Sequence, residues 1–183
     1  MMLARFSTRT CTPAARRLHV RCMASVTPGI NFSNCVDKAH EGKALKDIIK
    51  LPPGALQGLK EGTADEMLGK LGVKSIESLA KWKHYRLARA IAVLADGEVP
   101  GKRPDGAASN IHRGIVKAYE GKSFAELLDA PPSAMQGLAA WTDETLAALR
   151  VKNIRDLAQW KYALWAEALT TAAEFENADG SSR

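Results

Sequence analysis

Two Trp-Lys pairs, two carboxylate pairs and three dispersed histidines are the side chains of this 183-residue chain with the most chemistry to offer. Trp82-Lys83 and Trp160-Lys161 each set a large amphipathic ring beside a cation. Such a ring either borders a core with its N–H at a wet edge or anchors a partner, since Trp, Tyr and Arg are enriched where proteins dock. The first pair runs on as Trp82-Lys83-His84-Tyr85-Arg86, an aromatic and basic patch that Arg89 extends, whereas Trp160-Lys161-Tyr162-Ala163-Leu164 dilutes it. Asp65-Glu66 and Asp143-Glu144 could do acid–base work, yet each opens a helical pattern, where acids favour the positive end of the helix dipole. His40, His84 and His112 stand apart from any cysteine and from the His-Glu-x-x-His spacing that chelates zinc on one helix face. They read as surface or half-buried histidines. Neither a Gly-x-Ser-x-Gly elbow nor a Walker-type phosphate loop occurs. The sequence therefore predicts no catalytic, cofactor-binding or metal-binding set.

The pairs recur because the chain repeats itself. Glu41-Gly42-Lys43, Pro52-Pro53 and Gln57-Gly58-Leu59 return as Glu120-Gly121-Lys122, Pro131-Pro132 and Gln136-Gly137-Leu138. After a one-residue gap near Glu61 to Ala64, Leu71-x-Val73-Lys74-x-Ile76 and Leu79-Ala80-x-Trp82-Lys83 return as Leu149-x-Val151-Lys152-x-Ile154 and Leu157-Ala158-x-Trp160-Lys161. Internal repetition of this kind sets architecture. It also favours binding over catalysis, since one reaction rarely needs its residues in duplicate. The expected divisions are a leader over 1–25, a first repeat over 36–96, a linker over 97–110 and a second repeat over 111–176. The linker assignment rests on Gly97, Pro100, Gly101, Pro104 and Gly106.

Residues 1–25 hold five arginines, no acid and many Ser, Thr and Ala, the composition of an organelle transit peptide rather than of a secretory signal. The junction Val20-Arg21-Cys22-Met23-Ala24 resembles the processing sites of chloroplast transit peptides, with the mitochondrion as the alternative destination. Setting the leader aside reduces 26 Lys+Arg to 21, against 20 Asp+Glu. A mature chain so near neutrality lacks the broad basic field that drives nonspecific nucleic-acid binding. The charge is nonetheless uneven, with 11 Lys+Arg against 9 acids over 36–99 and 8 against 10 over 112–183. Cys35 is the only cysteine beyond the leader, which leaves neither an intrachain disulfide nor a Cys-based metal site. No apolar run is long enough for a transmembrane helix.

Every element that must position the Trp-Lys pairs is helical. Leu45, Ile48 and Ile49 predict a short helix that stops before Pro52-Pro53. The second proline opens a turn over Ala55, Leu56 and Leu59. Thr63-x-x-Glu66 reads as a capping box for a helix through Met67, Leu68 and Leu71, ended by a left-handed turn at Gly72. Ser75 caps a long helix running from Ile76 to Leu94. In the second repeat Ser123-x-x-Glu126 is a capping box, Thr142 caps a helix carrying Leu146 and Leu149, and Asn153 caps a long helix from Ile154 to Ala173. Ile111, Ile115, Val116 and Tyr119 add a helical turn or two ahead of it. The expected class is all-α, with the two repeats packed together because units of about sixty residues are marginal alone.

Gly58-Leu59 through Leu71-Gly72-Val73-Lys74-Ser75-Ile76-x-x-Leu79-Ala80 resembles the helix-hairpin-helix modules of nucleic-acid enzymes. In those modules a Gly-x-Gly hairpin aims backbone amides at phosphate; here Gly58 is followed by Leu59-Lys60, Arg150 stands in place of Gly72, and the second hairpin, Gly137-Leu138-Ala139-Ala140, has no basic residue. The fuller pattern, Leu-x-x-Pro-Pro-x-Ala-Leu/Met-Gln-Gly-Leu through Leu-Ala-x-Trp-Lys, is similar to small plastid proteins of algae that carry the unit singly or in tandem. Repeat, charge and resemblance together lead to the expectation of a non-catalytic interaction protein of the plastid stroma, docking on another plastid protein, such as the stromal face of a thylakoid complex. Its expected interface is Trp82, Lys83, Arg86, Trp160 and Lys161. The alternative is a helix-hairpin-helix-like nucleic-acid binder of the organelle, contacting phosphates through Lys60, Lys74, Lys83 and Arg86.

Overall fold

The computed structural model describes residues 31–99 and 108–177. The leader, the middle of the linker and residues 178–183 lie outside them. Among the described residues the structure is helical and contains no strand beyond two isolated antiparallel bridges, Val36 with Leu56 and Ile115 with Met135. The α-helices are α1 (Leu45–Ile48), α2 (Thr63–Lys70), α3 (Ile76–Ala80), α4 (Lys83–Asp96), α5 (Phe124–Leu128), α6 (Trp141–Ala148), α7 (Ile154–Ala158) and α8 (Lys161–Glu174). Short 3-10 turns at Lys38–His40, Pro53–Ala55, Lys117–Tyr119 and Pro132–Ala134 lie between them. The same order of elements thus runs twice along the chain.

Local chemistry explains most boundaries. Ser75 accepts from the Ser78 amide and Ser78 Oγ from the Ser75 amide, which starts α3. Ser123 and Glu126 pair the same way at α5, and Asn153 Oδ1 accepts from the Asp156 amide at α7. Two predicted caps are corrected. At α2 the acceptor is Asp65 rather than Glu66: its carboxylate takes the Gly62 amide at 3.0 Å and also reaches back to the Gly54 amide at 2.7 Å. Asp143 likewise takes the Ser133 amide and hydroxyl, so these carboxylates tie a helix start to the preceding Pro-Pro turn. Thr142 lies inside α6, buried, and its hydroxyl donates to the Ala139 carbonyl. The segment over Ile111 to Tyr119 is also not the helix expected; it is a turn, a bridge at Ile115 and a 3-10 turn.

The two long helices are each broken in two, and the break has a definite cause. Trp82 (φ −62°, ψ 118°) and Trp160 (φ −64°, ψ 111°) are extended. An unbroken helix would put Lys83 on the face of Leu79 and Ala80, and Lys161 on that of Leu157 and Ala158, because residues three and four apart share a face. One extended residue resets the phase, so that both lysines are exposed while Tyr85, Ala88 and Ile91, or Ala163, Ala166 and Leu169, turn inward.

Packing then crosses between the halves. Helix α4 lies against α5 and α7, and α8 lies against α3 and α1, whereas α3 and α4 touch only slightly. One hydrophobic core results, with Ile48, Leu56, Leu68, Ile76 and Leu79 of the first half joined to Ile115, Met135, Leu146, Ile154 and Leu157 of the second. The ends of the long helices are fastened alike. Glu176, past α8, accepts from the Leu45 and Lys46 amides at the start of α1. Glu98, past α4, accepts from the Phe124 and Ala125 amides at the start of α5. Tyr85 Oη donates to Glu167 Oε2 at 2.5 Å, linking the long helices themselves.

Candidate functional site

The breaks before α4 and α8 create two clefts, each walled by both halves. The first, about 670 Å³, is bounded by the Leu71-Gly72 turn, by Trp82, Lys83 and His84, and by Gly137 from the other half. The second, about 630 Å³, is bounded by Leu149-Arg150, by Trp160, Lys161 and Tyr162, and by Gly58 and Lys60 from the other half. In both, the start of a long helix is laid against a glycine of positive φ, 95° at Gly137 and 93° at Gly58. A Cβ on Gly137 would lie 3.2 Å from Lys83 Nζ, and one on Gly58 would lie 3.1 Å from Tyr162 Oη and 3.8 Å from Lys161 Nζ. Tyr162 Oη donates to the Gly58 carbonyl at 2.8 Å. The first cleft has a counterpart contact, where His84 Nε2 donates to the Gln136 carbonyl at 3.2 Å.

His84 is buried, stacks edge-on against Trp82 and leaves Nδ1 without a hydrogen-bond partner. Burial holds its pKa below the ordinary histidine value; the Gln136 carbonyl opposes that shift and the Lys83 charge adds to it. Lys161 Nζ lies 4.7 Å from the Tyr162 ring centre and 5.0 Å from that of Trp165, an arrangement in which the ring faces attract the cation.

The expected site residues are redistributed. Trp82 and Trp160 are 8% and 6% exposed, so neither indole is a surface anchor; both are core side chains at the helix breaks. Lys83 and Lys161 are exposed at the cleft rims. Arg86 is exposed on α4 and lines neither cleft, and Lys74 is exposed in the turn before α3, also outside both. Lys60 and Lys83, expected to act together on phosphate, face different clefts. Lys60 instead lines the same cleft as Arg150 and Lys161, residues of the second half. Sequence periodicity gave no sign of that grouping, because pairs such as Tyr162 with Gly58 lie 104 positions apart.

Among the described residues no helix is long and apolar enough to cross a membrane. No protein-family model, curated protein or solved structure matches the chain.

Proposed function

We propose that the chain is a non-catalytic interaction protein of the plastid, built from two helix-hairpin-helix-like repeats and docking on a partner protein such as the stromal face of a thylakoid complex. The observation that carries this reading is the pair of clefts, each with an exposed lysine laid over a positive-φ glycine of the opposite half. Two sites built alike suit a molecule that holds a partner at two points, and the effective concentration at the second point then raises the overall affinity. The near-neutral charge beyond residue 25 supports a protein partner over nucleic acid. The acid-free leader supports import, and a fluorescent fusion of residues 1–25 should enter the chloroplast; delivery to mitochondria would move the partner search there.

Affinity capture from chloroplast extract, with and without nuclease, tests the docking reading. The expected result is one defined complex that resists nuclease and is lost with Lys83→Glu and Lys161→Glu combined, at an unchanged melting temperature. Recovery that disappears with nuclease would replace this reading by the nucleic-acid one. The tryptophans are unsuitable probes, since removing a buried indole costs about 3–5 kcal/mol and reports on folding.

A further inference from the structure

The two clefts are alike in construction and unlike in charge. In the first, Lys81 is paired with Glu77 at 2.6 Å, leaving Lys83 as the unpaired cation. In the second, Lys60, Arg150 and Lys161 all line the cleft and have no ion-pair partner among the described residues. The one carboxylate there, Asp156, accepts from the Lys152 amide. The same cleft is also lined by Leu59, Met67 and Leu149. We infer that the second cleft receives an acidic peptide segment of the partner, with Lys60, Arg150 and Lys161 taking its carboxylates and the apolar lining residues Leu59, Met67 and Leu149 taking a side chain between them. The inference rests on the docking reading and names the chemistry of the partner.

Charge complementarity selects this occupant. Three cations and three apolar side chains lining one cleft match a few carboxylates flanking an apolar residue. A nucleic-acid strand calls for cations that track an extended backbone, and Lys74 and Arg86, which could extend the row, lie outside the cleft. Arginine adds a planar fork suited to a carboxylate, and Lys161 is held in place by the rings of Tyr162 and Trp165.

Binding of a fluorescent peptide with alternating Glu and Leu to the full-length chain tests the proposal. Competitors are the same peptide with Gln for Glu and a single-stranded oligonucleotide of equal charge. Arg150→Gly, Lys60→Gln and Lys161→Gln should each weaken the acidic peptide about tenfold, the size expected for one charge-assisted hydrogen bond. Lys117→Gln, an exposed charge outside the cleft, should leave binding unchanged, which separates loss of a cleft contact from a general loss of positive charge. Arg150→Gly is the decisive variant, because glycine suits the backbone there and the fold is retained. Equal binding of the Gln peptide, indifference to all three cleft variants, or an oligonucleotide that displaces the peptide and shows the same losses would overturn the proposal. The first two results leave the docking reading intact if the nuclease-resistant complex persists, whereas the third removes both.

Discussion

Arg150 sits at φ 64°, the only non-glycine among the described residues with positive φ, where the matching turn of the first half has Gly72 at φ 80°. A left-handed conformation costs an L-residue roughly 1–2 kcal/mol, part of which glycine gives back through its larger loss of backbone freedom. Arg150→Gly should therefore stabilise the protein by about 0.5–1 kcal/mol, read as a rise in Tm of roughly 1–4 °C. A fall in Tm would mean that the arginine side chain contributes more through its contacts than its backbone costs. His84 supplies a second test. Its pKa is depressed by burial, so the unfolded chain takes up a proton that the folded one resists, and stability rises with pH. The contribution is complete above the ordinary histidine value of about 6.5 and is lost as pH falls from there toward the lower folded value. Thermal melts between pH 7.5 and 5.5 should show a steeper decline for the wild type than for His84→Gln. Parallel declines would assign the acid sensitivity to other groups.

At the scale of elements, the capping glutamates make the sharpest claim. Glu176 uses both carboxylate oxygens on the first amides of α1, at 2.7 and 3.0 Å, although Ala44, the residue before that helix, has no side chain able to cap. Glu176→Ala should cost about 1–2 kcal/mol and speed hydrogen exchange at Leu45 and Lys46 before the rest of the core. Uniform exchange across the molecule would show that α1 does not open separately. The contrast with Ser75, Ser123 and Asn153 explains which caps were legible in the sequence. A cap made within four residues has a local signature. One made by Glu98 or Glu176 does not, because its acceptor arrives from the end of the other half. The helix breaks were missed for a related reason. The apolar spacing from Ile76 to Leu94 fits one continuous face, and only the need to keep Lys83 in water, which tertiary packing imposes, shows why the phase shifts at Trp82.

For the whole molecule, the crossed packing of α4 and α8 means that each half keeps its own long helix away from its own short ones. A fragment of residues 31–98 should be largely unfolded by circular dichroism, as should one of residues 108–177. Mixing them should restore helix with a sharp melting transition. Independent folding of either fragment would show that the slight contact between α3 and α4 is enough to hold a half together. The sequence disclosed two similar halves and their apolar faces, which is why the helical class could be read from it. It did not disclose which half supplies each face, since an exchanged and an unexchanged arrangement bury the same residues. The grouping of Lys60, Arg150 and Lys161 follows from the exchange and was hidden with it.

The exchanged helices also bear on assembly. A chain holding one such half would find its missing surfaces only on a second copy, giving an isologous pair about a two-fold axis. With both halves on one chain, the segment 97–110 turns that association into an intramolecular event, at an effective concentration on the order of millimolar. Folding is then first order and insensitive to dilution. The same tether sets a limit: shortened until α4 cannot reach α5 and α7 of its own chain, it would leave each half to pair with another molecule, and the closed single chain would give way to a swapped dimer.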